Sequence, residues 1–239
     1  MYIKRMIKKY AVLLAIWFVI YGLTWFYLVI KDLAHGTLNQ KVFFFIQYNY
    51  NGHLYLMMIP LIPLLLSFNY LTDRQNSDYV RFKTRDNVLV SVLKESLVLC
   101  VLLSCLHEII NLISVRLLFA DLLKNNLLYY CFINLVTVSI YYFRSTCIFC
   151  VLKCLFNRRS AALLIFCIYF FEVMILKPEL FLFAWIPCDD ISIFYNLISG
   201  DKSLYDVGIV IVRGLVMDIV VLISAILVNR KRDYLNEKA

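Results

Sequence analysis

The chain has few charged residues and few of the side chains from which most active sites are built. Of its 239 residues only 17% are charged, against about 25% in an ordinary soluble domain, and 63% are hydrophobic. Its three histidines, His35, His53 and His107, do not provide the two histidines on one helical face that a zinc protease needs. Its six glycines are scattered and form no phosphate-binding loop. We therefore predict no catalytic and no cofactor-binding residues in this chain.

The eight cysteines lack the setting of a disulfide framework. Seven fall in apolar runs or at their edges, and Cys188 lies without a partner in a predicted outer segment. Cys147, Cys150 and Cys154 have a spacing seen in metal sites, but they share one helical face that has no histidine or carboxylate beside them. Free cysteine packs as a small hydrophobic residue. We therefore interpret the cysteines as packing residues and expect no metal.

The net charge of +8 has two possible explanations. A basic chain can bind nucleic acid. A membrane protein gains the same excess from lysine and arginine in its cytoplasmic loops. The apolar composition favours the second explanation, so no nucleic-acid partner is expected.

Long apolar runs predict an all-α, polytopic integral membrane protein with a single transmembrane domain over 1–239. A helix of about 20 apolar residues crosses the ~30 Å hydrocarbon core of a bilayer. Pro60 and Pro63 each remove a backbone donor and are expected to kink the second span. The six predicted spans are about 11–30, 54–70, 91–118, 127–152, 160–176 and 207–228.

Two shorter segments are expected to lie at the membrane surface. Residues 1–10 have apolar side chains on one helical face and basic ones on the other, which predicts an interfacial amphipathic helix. The apolar run behind it is too long for the core of a signal peptide, so we expect a retained anchor. Residues 178–206 are apolar but broken by Pro187 and by Asp189 and Asp190, either of which can cap a helix. This second segment predicts short outer helices between spans five and six.

The basic residues predict the orientation of the chain. With six spans, both termini lie on one side of the membrane. Sixteen lysines and arginines fall in the segments on that side and six in the segments on the other side. Cytoplasmic loops contain the excess of basic residues. The sequence therefore predicts a multi-pass protein of the cell membrane with both termini in the cytoplasm.

Ionisable residues at membrane depth are candidates for function. At ~1.5 Å per residue, Glu108, Glu172 and Arg213 come out at similar depths in the outer half of the bundle. One hypothesis is that Arg213 pairs with Glu172 or Glu108 and holds spans five and six in register; a substrate-binding or proton-relay role is the alternative. Arg144 is expected close to the cytoplasmic edge, with its charge directed to water. The candidate intramembrane polar residues are His107, Glu108, Glu172, Arg213 and Asp218.

The polar segment between spans two and three must face water. In its middle, apolar and basic residues alternate, as in a short docking element. A solvated connector that contacts nothing is the alternative interpretation. The candidate docking residues are Tyr79, Val80, Arg81, Phe82, Lys83 and Arg85.

Taken together, the chain resembles the membrane subunits (permeases) of the type-2 exporter class of ABC transporters, over nearly its whole length. The shared features are an amphipathic helix before span one, a polar cytoplasmic segment after span two, short outer helices before span six, and cytoplasmic termini. In that family the segment after span two begins with an acidic–polar run, here 73–77, and ends with a basic residue that opens span three, here within 85–94. The family's usual glycine is replaced by Ser77 or Asp78, and its proline is absent.

The resemblance implies partners for this chain. A second permease subunit, identical or different, would complete the membrane part. A separate nucleotide-binding ATPase subunit would bind ATP and Mg²⁺, so this chain would need no cofactor of its own. The family's coupling helix would fall within 73–90, with Tyr79, Arg81 and Phe82 filling a groove on the ATPase. The small size and missing outer domain are similar to exporters that export or clear amphipathic molecules such as peptides.

Other functions remain open from the residues alone. A membrane interaction or immunity protein that transports nothing would tolerate charge reversal in 73–90. A secondary carrier would show inverted repeats with paired helix breaks, and Pro60 and Pro63 have no counterpart in the second half. A membrane-embedded enzyme would depend on His107, Glu108, Glu172 or Asp218.

Overall fold

The computed structural model describes residues 10–23, 85–118, 127–171 and 202–231, and three single positions, Asp190, Ile193 and Leu197. The regular structure within these ranges is helical throughout, which confirms the predicted all-α class for the described part of the chain. The helices are α1 (Tyr10–Leu23), α2 (Arg85–Leu118), α3 (Leu127–Leu155), α4 (Arg158–Phe171) and α5 (Leu204–Lys231).

Three of these helices are long and apolar enough to cross a membrane: α2, α3 and α5, over Asp86–Ile110, Leu128–Leu155 and Leu204–Arg230. They coincide with the third, fourth and sixth predicted spans. The described parts of α1 and α4 are shorter apolar helices, and the predicted span 54–70 lies outside the described residues. The structure therefore supports a membrane protein and provides three of the six predicted spans.

Helix α2 begins earlier than the predicted third span. Its 34 residues extend for about 51 Å, which is longer than the hydrocarbon core of a bilayer. Asp86 lies in its first turn, where a carboxylate is stabilised by the positive end of the helix dipole. The helix can therefore continue past the apolar stretch at the end where Arg85 and Asp86 lie.

Side-chain caps fix the starts of α4 and α5. The Asn157 side-chain oxygen accepts the backbone N–H of Ser160 at 2.9 Å, at the first turn of α4. The Asp206 carboxylate accepts both the backbone N–H and the hydroxyl of Ser203, each at 2.8 Å. A side chain three residues into the helix that bonds back to the capping residue is one half of a capping box. These caps separate α4 from α3 and set where α5 enters the bundle.

Helix α3 is the centre of the described bundle. It packs against α2, α4 and α5, and 61% of its membrane-crossing window is buried, against 17% for α5. The main core includes large side chains from α1 to α4 and a small one from α5. Its members include Trp17, Tyr21, Leu99, Leu103, Tyr142, Phe149, Ile165 and Ala225.

A second, smaller core forms where the chain enters α5. Ile193 and Leu197 are helical residues that pack with Ile133 of α3 and with Val207 and Val210 of α5. Both positions are helical, and the rest of the predicted short outer helices lies outside the described residues. This contact brings the segment before α5 against the bundle and places Asp190 beside Arg213.

Candidate functional site

Polar side chains lie along both interfaces that α3 makes with its long neighbours. Ser96 of α2 donates its hydroxyl to Thr146 of α3 at 2.8 Å, and Asn134 of α3 donates its amide to Glu108 of α2 at 2.6 Å. The two contacts are the same number of residues apart on both helices, which defines an antiparallel register. All four residues are buried. Because lipid gives apolar helices no reason to prefer one register over another, such polar contacts specify it.

A deeply buried ion pair joins α3 to α5. The Arg144 Nε donates to Asp218 Oδ1 at 3.0 Å, and the two side chains are only 4% and 8% exposed. Arg144 lies roughly midway along the candidate span Leu128–Leu155, and Asp218 roughly midway along Leu204–Arg230. An isolated charge at that depth costs about 2.5–3.5 kcal/mol or more. Each residue therefore stabilises the other at the middle of the membrane.

The prediction that Arg144 directs its charge to water near the cytoplasmic edge was wrong. The side chain is buried and faces α5, because a carboxylate on that helix lies at the same depth. Depth counted along one helix cannot reveal a partner on another. Asp218, in contrast, was singled out from the sequence, and the structure gives it Arg144 as its partner.

Gly214 allows α3 and α5 to approach closely beside this ion pair. A Cβ atom at this position would lie 2.9 Å from Ile140 Cγ2 and 3.2 Å from Arg144 Nη2. The same Nη2 donates to the Gly214 carbonyl oxygen at 3.5 Å. Small residues are favoured at membrane helix interfaces because they let backbones approach. Gly214 therefore provides the space in which Arg144 reaches α5.

Arg213 pairs with the segment before α5. Its Nη2 donates to Asp190 Oδ1, and Asp190 is buried. The sequence predicted Glu172 or Glu108 as the partner of Arg213. Glu172 lies outside the described residues, and Glu108 accepts the side-chain amide of Asn134. Asp190, expected only as a possible helix cap, is thus an ion-pair partner that the sequence did not indicate.

A third ion pair joins the end of α5 to the start of α2. Arg230 in the last turns of α5 donates Nε and Nη2 to Asp86 Oδ2 of α2, at 2.9 and 2.7 Å. Unlike the central pair, it is open to solvent, with side chains 61% and 36% exposed. The pair joins two residues that are far apart in sequence, and no spacing rule could have indicated it.

His107 and Glu108 are both buried but contact different neighbours, as their adjacent positions on one helix require. The His107 ring lies 4.7 Å from the ring of Tyr21 on α1, and Tyr21 stacks on Trp17 at 4.9 Å. Glu108 faces Asn134 on α3. His107 therefore joins α2 to α1 through an aromatic contact, and Glu108 joins α2 to α3 through a hydrogen bond. These contacts indicate a packing role for both residues.

The predicted docking residues precede α2 in the sequence or open it. Positions 79–83 lie outside the described residues, and of Arg85 only the backbone is described, at the start of α2. Arg85 is followed by Asp86, which is paired with Arg230.

The chemistry available in the described ranges is that of helix pairing. Among these residues no group of three or more His, Cys, Asp or Glu side chains is arranged to hold a metal ion. The seven described cysteines are free thiols, and Cys100, Cys147 and Cys150 belong to the main core. What the arrangement provides is three ion pairs along α5, each to a different part of the chain.

Comparisons of this chain with protein-family models, with curated proteins and with solved structures gave no match.

Proposed function

We propose that the chain is a membrane-spanning permease subunit of an ATP-driven transporter, similar to the type-2 exporter class of ABC transporters. The observation that supports it best is the junction at the Asp86–Arg230 end of the bundle. The polar segment 71–84 leads directly into Asp86, and Asp86 is bonded to the end of α5. A force applied to that segment would reach α2 directly and would bear on the Asp86–Arg230 contact between α2 and α5, as coupling to an ATPase requires.

The same end is the basic end of the described bundle. Because α2 and α3 are antiparallel, the end of α3 and the start of α4 lie near Asp86, and Lys153, Arg159 and Arg230 lie there with it. Lysine and arginine accumulate on the cytoplasmic side. We therefore propose that this end faces the cytoplasm, with both termini on that side of the cell membrane.

The partners follow from the proposal. A separate nucleotide-binding subunit would hold ATP and Mg²⁺, hydrolyse the ATP, and contact Tyr79, Arg81 and Phe82. A second permease subunit, the same chain or a related one, would complete the membrane part. The cargo would be an amphipathic molecule such as a peptide, moved out of the cell or cleared from the membrane. This chain itself would not be an enzyme.

One observation favours a different function. Large aromatic side chains, Trp17, Tyr21, Tyr142 and Phe149, fill the described interior and are almost completely buried. A closed, well-packed bundle suits a membrane interaction or immunity protein that binds a partner without transporting anything. In a transporter, the pathway would instead lie between two subunits or beside the residues not described.

Affinity purification of the tagged protein from its native membranes tests the proposal. We expect wild type to retain a soluble nucleotide-binding subunit, identified by mass spectrometry and by ATP binding. The double variant Tyr79→Ala/Phe82→Ala is expected to lose it, because those side chains would fill the groove on the ATPase. Tyr129→Ala/Phe132→Ala, two exposed aromatic residues on α3, is the matched control and is expected to retain it.

The outcome separates the two functions. Recovery of a different, non-nucleotide-binding partner by wild type would favour the interaction protein. Recovery of no ATPase by wild type under conditions that preserve the bundle would contradict the permease proposal.

A further inference from the structure

Helix α5 is held to its two long neighbours in different ways. Against α3 it has the buried Arg144–Asp218 pair and the close approach at Gly214. Against α2 it has the exposed pair of Asp86 and Arg230, and the interface is much smaller. The α3–α5 interface therefore contains a buried ion pair, whereas the ion pair in the α2–α5 interface is exposed to water.

Separating the exposed Asp86–Arg230 pair costs little free energy compared with separating a buried pair. Exposed ion pairs contribute little to stability and are screened by salt, whereas separating a buried pair is strongly unfavourable. Arg230 bonds through two nitrogens to one carboxylate oxygen only, rather than to both oxygens as in the strongest arginine–carboxylate pairs.

Each charge of the pair is also stabilised by the end of its own helix when the two charges separate. Asp86 lies in the first turn of α2 and Arg230 near the end of α5. A carboxylate is stabilised at a helix N-terminus and a cation at a helix C-terminus. Opening the pair therefore leaves neither charge in an unfavourable position.

The part of α5 beyond Asp218 contacts the bundle along one face. Ala225 and Asn229 are buried on that face and Val221, Leu222 and Ile226 pack partly buried against the main core, while Ile219, Ile223 and Leu227 on the other face are about half exposed. Apolar surface of this kind is as well solvated by lipid as by protein. Because lipid tails can replace these apolar neighbours, packing alone does not hold this end of the helix in place.

We propose that the Asp86–Arg230 pair is a releasable latch. When it opens, the end of α5 beyond Asp218 moves away from the start of α2, while α3 and α5 remain joined at the Arg144–Asp218 pair. The seam between α2 and α5 then opens at the basic end of the bundle. The latch does not rest on the proposed function.

Hydrogen exchange measured by mass spectrometry on the purified full chain in lipid nanodiscs tests the latch. In Asp86→Asn and in Arg230→Gln we expect exchange of peptides covering 219–231 to rise several-fold, with peptides covering 207–218 unchanged. The swap Asp86→Arg/Arg230→Asp is expected to lie between wild type and the single variants, because it restores the pair but opposes both helix dipoles. Arg159→Gln, an exposed cation at the same end, is expected to change nothing in 219–231.

A second measurement needs no substitution. Raising the salt concentration from 50 mM to 1 M is expected to increase exchange of 219–231 in wild type, and to have no such effect in Arg230→Gln. Unchanged exchange in both single variants, or an increase that extends equally through 207–218, would overturn the latch. Neither measurement involves an ATPase, so the latch can fail while the permease proposal stands, and the reverse.

Discussion

Arg144→Leu is expected to destabilise the protein more than any other single substitution considered for this bundle. The change leaves Asp218 buried at the middle of α5 without its cationic partner. Removing one member of a buried ion pair costs about 3–5 kcal/mol, and an unpaired aspartate at the bilayer centre costs a similar amount. We expect a large loss of folded protein, measured as the midpoint of unfolding in mixed detergent–lipid micelles.

The double variant Arg144→Leu/Asp218→Leu distinguishes an unpaired charge from general damage to the interface. Replacing both members of a buried pair by apolar residues is often neutral or stabilising, so most of the lost stability is expected to return. Arg159→Leu, which removes an exposed cation, is the control and is expected to have little effect. A double variant that is no more stable than Arg144→Leu would contradict the proposed role of the pair.

Gly214→Ala is expected to destabilise the contact between α3 and α5. The added Cβ would meet Ile140 Cγ2 at 2.9 Å and Arg144 Nη2 at 3.2 Å. The Ile140 atom is close to the α3 backbone, so the helices must shift apart and lengthen the Arg144–Asp218 contact. Added atoms in a packed interface cost about 1–3 kcal/mol, and the same unfolding measurement would detect this loss.

Gly208→Ala on the same helix provides the matched control. A Cβ at Gly208 would meet nothing within 4 Å. Alanine is the better helix former by up to about 1 kcal/mol, so this variant is expected to be neutral or slightly more stable. If Gly214→Ala and Gly208→Ala had the same effect, the close approach at Gly214 would not matter for stability.

The candidate membrane-spanning helices were predictable from the sequence because an apolar run is a local feature of the chain. The third, fourth and sixth predicted spans match α2, α3 and α5, apart from ends such as Arg85, where a helix continues past its apolar stretch. Asp218 was singled out because an ionisable residue within a long apolar run is a candidate for function, but no partner was predicted for it.

The partners themselves were not predictable, because they depend on how helices face one another. Arg144 lies in an apolar run like that of Asp218, yet its partner is 74 residues away along the chain. Asp190 and Arg230 sit at the borders of apolar runs, where a charge is ordinarily solvated. The register of α2 against α3, set by Ser96–Thr146 and Glu108–Asn134, and the separate position of α5 against both helices together fix which side chains meet.

The central proposal, that this chain is the membrane subunit of an ATP-driven transporter, is tested most directly by ATP hydrolysis. The wild-type chain, affinity-purified with its partners and reconstituted in liposomes, is expected to hydrolyse ATP. Material prepared from Tyr79→Ala/Phe82→Ala should show only background hydrolysis. If wild-type preparations that keep the folded bundle hydrolyse no more ATP than the double variant, the chain is not coupled to an ATPase through this segment, and the permease proposal is contradicted.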